Sequence, residues 1–170
     1  DSAGLAVLDQ GRLVRLRTPG KVSRLDTLWQ ASPVQGCTGI AHTRWATHGA
    51  PNEANAHPHV SRDAVAVVHN GIIENHAELR AELQAAGYVF TSETDTEVIA
   101  HLIHRLMAGG NSLQEAVAEA TRRLHGAFAI VAIHTDEPDH VVGARRGSPL
   151  CVGIGIGEHF MGSDVHALIQ

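Results

Sequence analysis

Three strings in the 170-residue sequence combine residue types that can do chemistry. In Gly39-Ile40-Ala41-His42-Thr43-Arg44-Trp45-Ala46-Thr47-His48-Gly49, Arg44 stands where an apolar strand gives way to a polar loop. A guanidinium is a planar fork whose donors match a carboxylate, so a carboxylate-bearing ligand is one reading of Arg44. A surface arginine beside a core tryptophan is the other. In Val67-Val68-His69-Asn70-Gly71-Ile72-Ile73-Glu74-Asn75, a buried strand runs into Asn-Gly ahead of a helix. The Asn70 side-chain N–H and the Gly71 backbone N–H can then converge on one point, as a developing oxyanion requires. An ordinary Asn-Gly turn is the alternative. In Ser92-Glu93-Thr94-Asp95-Thr96-Glu97, Asp95 lies near a helix N-terminus, which favours its ionised form and suits it to an ammonium group. Plain helix capping explains Thr94 and Glu97 without any ligand.

Other candidates are weaker. Thirteen histidines invite a metal site, with His57-Pro58-His59 in a polar loop and His101 and His104 three apart on a helix. No His-Glu-x-x-His or paired Cys-x-x-Cys accompanies them, so no metal and no cofactor is expected. Gly153, Gly155 and Gly157 lack the spacing of a phosphate-binding loop and read as strand glycines. Cys37 and Cys151 form no disulfide framework and fit a reducing cytoplasm, with Cys151 expected to be a buried core thiol.

The elements that must position these residues can be read from periodicity. Leu5 to Leu8 and Leu13 to Leu16 flank Asp9-Gln10-Gly11, a hairpin signal with Gly11 available for positive φ. Val22, Leu25, Leu28 and Trp29 predict a short amphipathic helix. Thr38 to Thr43 predicts a strand, followed by a loop from about Arg44 to Asp63. Ala64 to Val68 predicts a buried strand ending at His69-Asn70-Gly71. Three helices follow, the first capped by Asn75 and the others opened by capping boxes at Thr94-Asp95-Thr96-Glu97 and Ser112-Leu113-Gln114-Glu115. Short strands are expected over Ala127 to His134, His140 to Ala144, Leu150 to Ile154 and His159 to Gly162. Hairpin-paired strands with helices bunched between them argue for an α+β domain.

Composition sets the outer limits. A hydrophobic share of 44% excludes a disordered tail, and the length suits one domain. A net charge of −5 without a basic run argues against nucleic acid as partner. The longest apolar stretch, Ala127 to Ile133, is far below the roughly 20 residues of a membrane span. The opening Asp1-Ser2-Ala3-Gly4 shows no signal peptide and reads as a cut from something longer.

The same strings, with Asn55-Ala56-His57-Pro58-His59 and Gly147-Ser148-Pro149-Leu150 in order between and after them, resemble one family over essentially the whole chain. This is the glutaminase domain of the glucosamine-6-phosphate synthases, which are class II N-terminal-nucleophile amidotransferases. The resemblance implies an N-terminal-nucleophile fold, a four-layer αββα sandwich of two antiparallel sheets, spanning residues 1–170 and incomplete at both ends. It implies that Arg44 binds the α-carboxylate of glutamine and Asp95 its α-ammonium. Asn70 and Gly71 would form the oxyanion hole, while Trp45, Thr47 and His48 belong to a loop closing over the substrate. It further implies a cytoplasmic, homodimeric parent that passes ammonia to fructose 6-phosphate on a separate isomerase domain. The family's nucleophile is an N-terminal cysteine that these residues lack, so the chain alone is expected to be inactive. An amidotransferase feeding phosphoribosyl pyrophosphate or aspartate is the runner-up, and a non-catalytic glutamine-binding domain is the third reading.

Overall fold

The computed structural model describes residues 1–44 and 52–169. The first hairpin joins β1 (Ser2–Asp9) to β2 (Arg12–Pro19). It turns at Gln10 and Gly11, both at positive φ (49° and 79°), the geometry whose twist matches the flanking strands. β3 (Thr38–Arg44) pairs antiparallel along the other edge of β1, giving a sheet of order β2-β1-β3. A second antiparallel sheet has the order β4-β5-β6-β7, comprising His59–Ser61, Val65–Gly71, Phe128–His134 and Val142–Arg146. β8 (Cys151–Ile154) and β9 (His159–Gly162) form a separate ribbon.

The two faces of β5 explain why its apolar run does not alternate. Val65 and Val67 pack among α2 (His76–Ala85), α3 (Glu97–Ala108) and α4 (Leu113–Arg123), beside Ile99, Ile103 and Val117. Ala66 and Val68 face the other way, onto Ala6, Leu8 and Ile40 of the first sheet. β6 divides likewise, with Phe128 and Ile130 toward the helices and Ile133 toward the first sheet. A strand covered on both sides needs no polar face. Since α1 (Val22–Ala31) packs on β1 and β2, the layers run helix, sheet, sheet, helices. This is the α+β, αββα arrangement expected from the sequence.

Several local expectations require correction. The Ser112 capping box forms, with hydroxyl and Glu115 carboxylate bonding in both directions. The Thr94 box does not: α3 begins at Glu97, and its N-cap Thr96 makes no side-chain cap bond. The Thr94 hydroxyl bonds His59 Nε2 at 3.0 Å instead, and the Glu97 carboxylate accepts from the N–H and hydroxyl groups of Thr91 and Ser92. Burial pushes that carboxyl's pKa up, but His101 at 3.7 Å and hydrogen bonds from Ser92 and Thr91 outweigh it and hold it well below the usual range. Asn75 occupies the α2 N-cap without capping it, since its carboxamide donates to the Arg123 carbonyl and accepts from His125 N–H. β4 lies inside what reads as loop, because three residues carry too little pattern and are held by pairing with β5. Of the alternate glycines only Gly153 lies in a strand. Cys151 is only partly buried, on the small ribbon rather than in the core.

Candidate active site

β3 and β5 belong to different sheets, yet each ends at the same cavity. Its volume is about 390 Å³, and Arg44, Asn70, Gly71 and Asp95 all line it. Arg44 closes β3 opposite Ser2, and its carbonyl accepts from the Asp1 ammonium at 2.9 Å. Its side chain is buried, which lowers the guanidinium pKa; the negative charge of Asp95 acts against that. Asn70 and Gly71 are the last two residues of β5, paired with Ala129 and Phe128 but exposed at the cavity. Gly71 sits at φ 128°, where a Cβ would collide with the Ala127 carbonyl oxygen. Only glycine fits both that backbone and that approach.

Asp95 reaches the cavity from the segment ahead of α3. Its Oδ2 accepts from Ile73 N–H at 2.8 Å, which ties the start of α3 to the residues just after β5. This bond brings Asp95, 22 residues away in sequence, to the strand end that carries Asn70 and Gly71. Trp45, Thr47 and His48 lie outside the described residues.

Sequence reasoning missed the layer beneath. His57 Nε2 and His69 Nδ1 each lie 2.9 Å from the Thr96 hydroxyl, while His59 bonds Thr94. His42 stacks at 4.3 Å from His57, centroid to centroid. Arg17 holds the segment entering this cluster, donating to the carbonyls of Ala54 and Ala56 at 3.1 and 2.8 Å. The available signal was the alternation Thr94-Asp95-Thr96, which puts a hydroxyl on either side of the Asp95 carboxylate. Among the described residues, no three His, Cys, Asp or Glu side chains are grouped to hold a metal.

These imidazoles are neutral because they are buried. Burial pushes His59 down to about 3 and His69 to about 4, and drives His57 well below its ordinary value. The unfolded chain therefore takes up protons first as pH falls below about 6.5, and stability declines from there toward pH 4. At pH 5 the expected loss is on the order of 2 kcal/mol from each of His59 and His69. A thermal unfolding midpoint that falls steadily from pH 7 to pH 5 is the expected result, and an unchanged midpoint would contradict the burial argument.

The profile of the glutamine amidotransferase domain family matches residues 42–170. The chain is 59% identical over 171 aligned residues to the isomerizing glutamine–fructose-6-phosphate aminotransferase of Pseudomonas putida KT2440. That alignment takes in 100% of this chain and 28% of the relative. Among solved structures, "the allosteric regulatory enzyme of purine biosynthesis" superposes with a TM-score of 0.82 at 27% identity, covering 98% of this chain and 36% of the other. The Bacillus subtilis glutamine phosphoribosylpyrophosphate amidotransferase, complexed with ADP and GMP, gives 0.75 at 27% identity over 94% and 34%. The profile match covers most of the chain and includes each of the four cavity residues, and the layered fold is shared with a solved amidotransferase. On this evidence the chain belongs to the glutamine amidotransferase domain family.

Proposed function

We propose that this chain is the glutamine-hydrolysing part of an isomerizing glutamine–fructose-6-phosphate aminotransferase. One observation carries the reading: a buried guanidinium, a carboxylate and an Asn-Gly strand end share a single cavity. Free glutamine presents a carboxylate, an ammonium and a carboxamide. Arg44 takes the α-carboxylate through its fork, and Asp95 takes the α-ammonium. The side-chain carboxamide then lies at Asn70 and Gly71. Attack on its carbon places negative charge on the oxygen, and the two N–H groups stabilise that charge. Ammonia leaves, and water releases glutamate from the acyl intermediate. Trp45, Thr47 and His48 are assigned to glutamine binding by the family resemblance alone.

Neither Cys37 nor Cys151 lines the cavity, so neither is assigned the role of attacking thiol. The chain by itself therefore binds glutamine without turning it over. The parent delivers the ammonia to fructose 6-phosphate on its isomerase portion, acts in the cytoplasm and dimerises mainly outside this chain. Identity of 59% to an aminotransferase, against 27% to the phosphoribosylpyrophosphate enzyme, favours the sugar phosphate as acceptor. The full-length protein, given glutamine and fructose 6-phosphate, should form glucosamine 6-phosphate and glutamate in equal amounts. Amino transfer to phosphoribosyl pyrophosphate instead would overturn the acceptor assignment.

A further inference from the structure

Asn70 can serve an oxyanion only if its amide nitrogen, not its oxygen, faces the reacting carbon. A carboxamide is nearly symmetric in shape, so something must decide between the two orientations. The structure places His42 Nε2 at 2.8 Å from Asn70 Oδ1. His42 comes from β3 of the first sheet and Asn70 from β5 of the second, so this bond spans the gap between the sheets. Both residues also line a second cavity of about 240 Å³, which places their contact in the wall between the two spaces.

We propose that His42 is the positioning residue of the oxyanion hole: it donates from Nε2 to Asn70 Oδ1 and thereby fixes which way the amide turns. An amide oxygen can only accept, so the proton must reside on Nε2. Nδ2 then lies on the far side of the carboxamide from His42. Among the described residues Nδ2 has no hydrogen-bond partner, which leaves it available to substrate. His42 Nδ1 is buried and meets no group in hydrogen-bonding geometry, while the backbone of His69 also acts on the ring and favours its protonated form. The opposite tautomer, with the proton on Nδ1, would accept from Asn70 and turn its oxygen toward the developing negative charge.

The inference rests on the oxyanion role of Asn70, and the tests separate the two. In the chain labelled with nitrogen-15, the His42 ring should show a protonated Nε2 and a bare Nδ1 at neutral pH. A proton on Nδ1 overturns the proposal without touching the role of Asn70. In the full-length protein, His42→Ala should lower kcat for glutamine hydrolysis about ten- to a hundredfold, with KM changed less than twofold. His42→Gln, whose terminal amide can donate to the same oxygen, should recover most of that loss. Equal losses in the two variants, or a loss confined to KM, overturn it. If His42→Ala does not fold, the ring nitrogens of the unaltered chain and the Gln variant still decide. Intact turnover in Asn70→Ala would instead overturn the oxyanion reading on which this one stands.

Discussion

Replacing Asn70 by alanine in the full-length protein is expected to slow glutamine hydrolysis by roughly two to three orders of magnitude, the usual cost of losing one oxyanion donor. The loss should fall on kcat, with KM changed no more than a few-fold. Ground-state glutamine holds a neutral amide oxygen, and the charge that Asn70 meets appears only as the tetrahedral intermediate forms. Folding should survive the change, because the side chain is exposed and the backbone keeps its pairing with Ala129. Steady-state glutamate release gives the numbers. A loss below about threefold, or one expressed only in KM, would remove Asn70 from the chemistry.

Arg44→Ala should act on binding instead. The guanidinium is buried at the cavity, so its removal leaves the substrate carboxylate desolvated and unmatched. Truncating one partner of such a pair costs about 2–5 kcal/mol, or roughly thirty- to several-thousand-fold in affinity. Arg44→Lys keeps the charge and loses the fork, so it should recover only part of the deficit. Asp95→Asn, which removes the ammonium's partner while retaining an oxygen for Ile73 N–H, should weaken binding in the same range. Calorimetric titration of the chain with glutamine measures all three. Affinities within threefold of the unaltered chain in both Arg44→Ala and Asp95→Asn would contradict the assignment.

What could be read from the sequence follows the range of the interactions involved. The turn at Gln10-Gly11 and the box between Ser112 and Glu115 are settled within a few residues, and both appear as expected. The apolar run of β5 announces a strand buried on both faces, and the two core clusters show why. Thr94 and Glu97 have the spacing of a cap, but tertiary partners claim both: His59 arrives 35 residues away and takes the hydroxyl. Asn75 loses its capping role in the same way, to a carbonyl 48 residues on. Such contests are invisible to local pattern.

The site divides along the same line. Residue chemistry alone left each of Arg44, Asn70 and Asp95 with an unexceptional alternative. The family resemblance linked them, and the fold gathers them on one cavity. The histidines were conspicuous as a count, but their sequence context carried no ligand spacing. Their spacing along the chain does not show that His57 and His69 would converge on the single hydroxyl of Thr96.

A crystal structure of the chain with L-glutamine bound tests the account most directly. The α-carboxylate should lie on the Arg44 guanidinium, the ammonium on Asp95, and the carboxamide oxygen within hydrogen-bonding distance of Asn70 Nδ2 and Gly71 N–H. Glutamine seated in another cavity, or lying reversed with its carboxamide at Arg44, would contradict it.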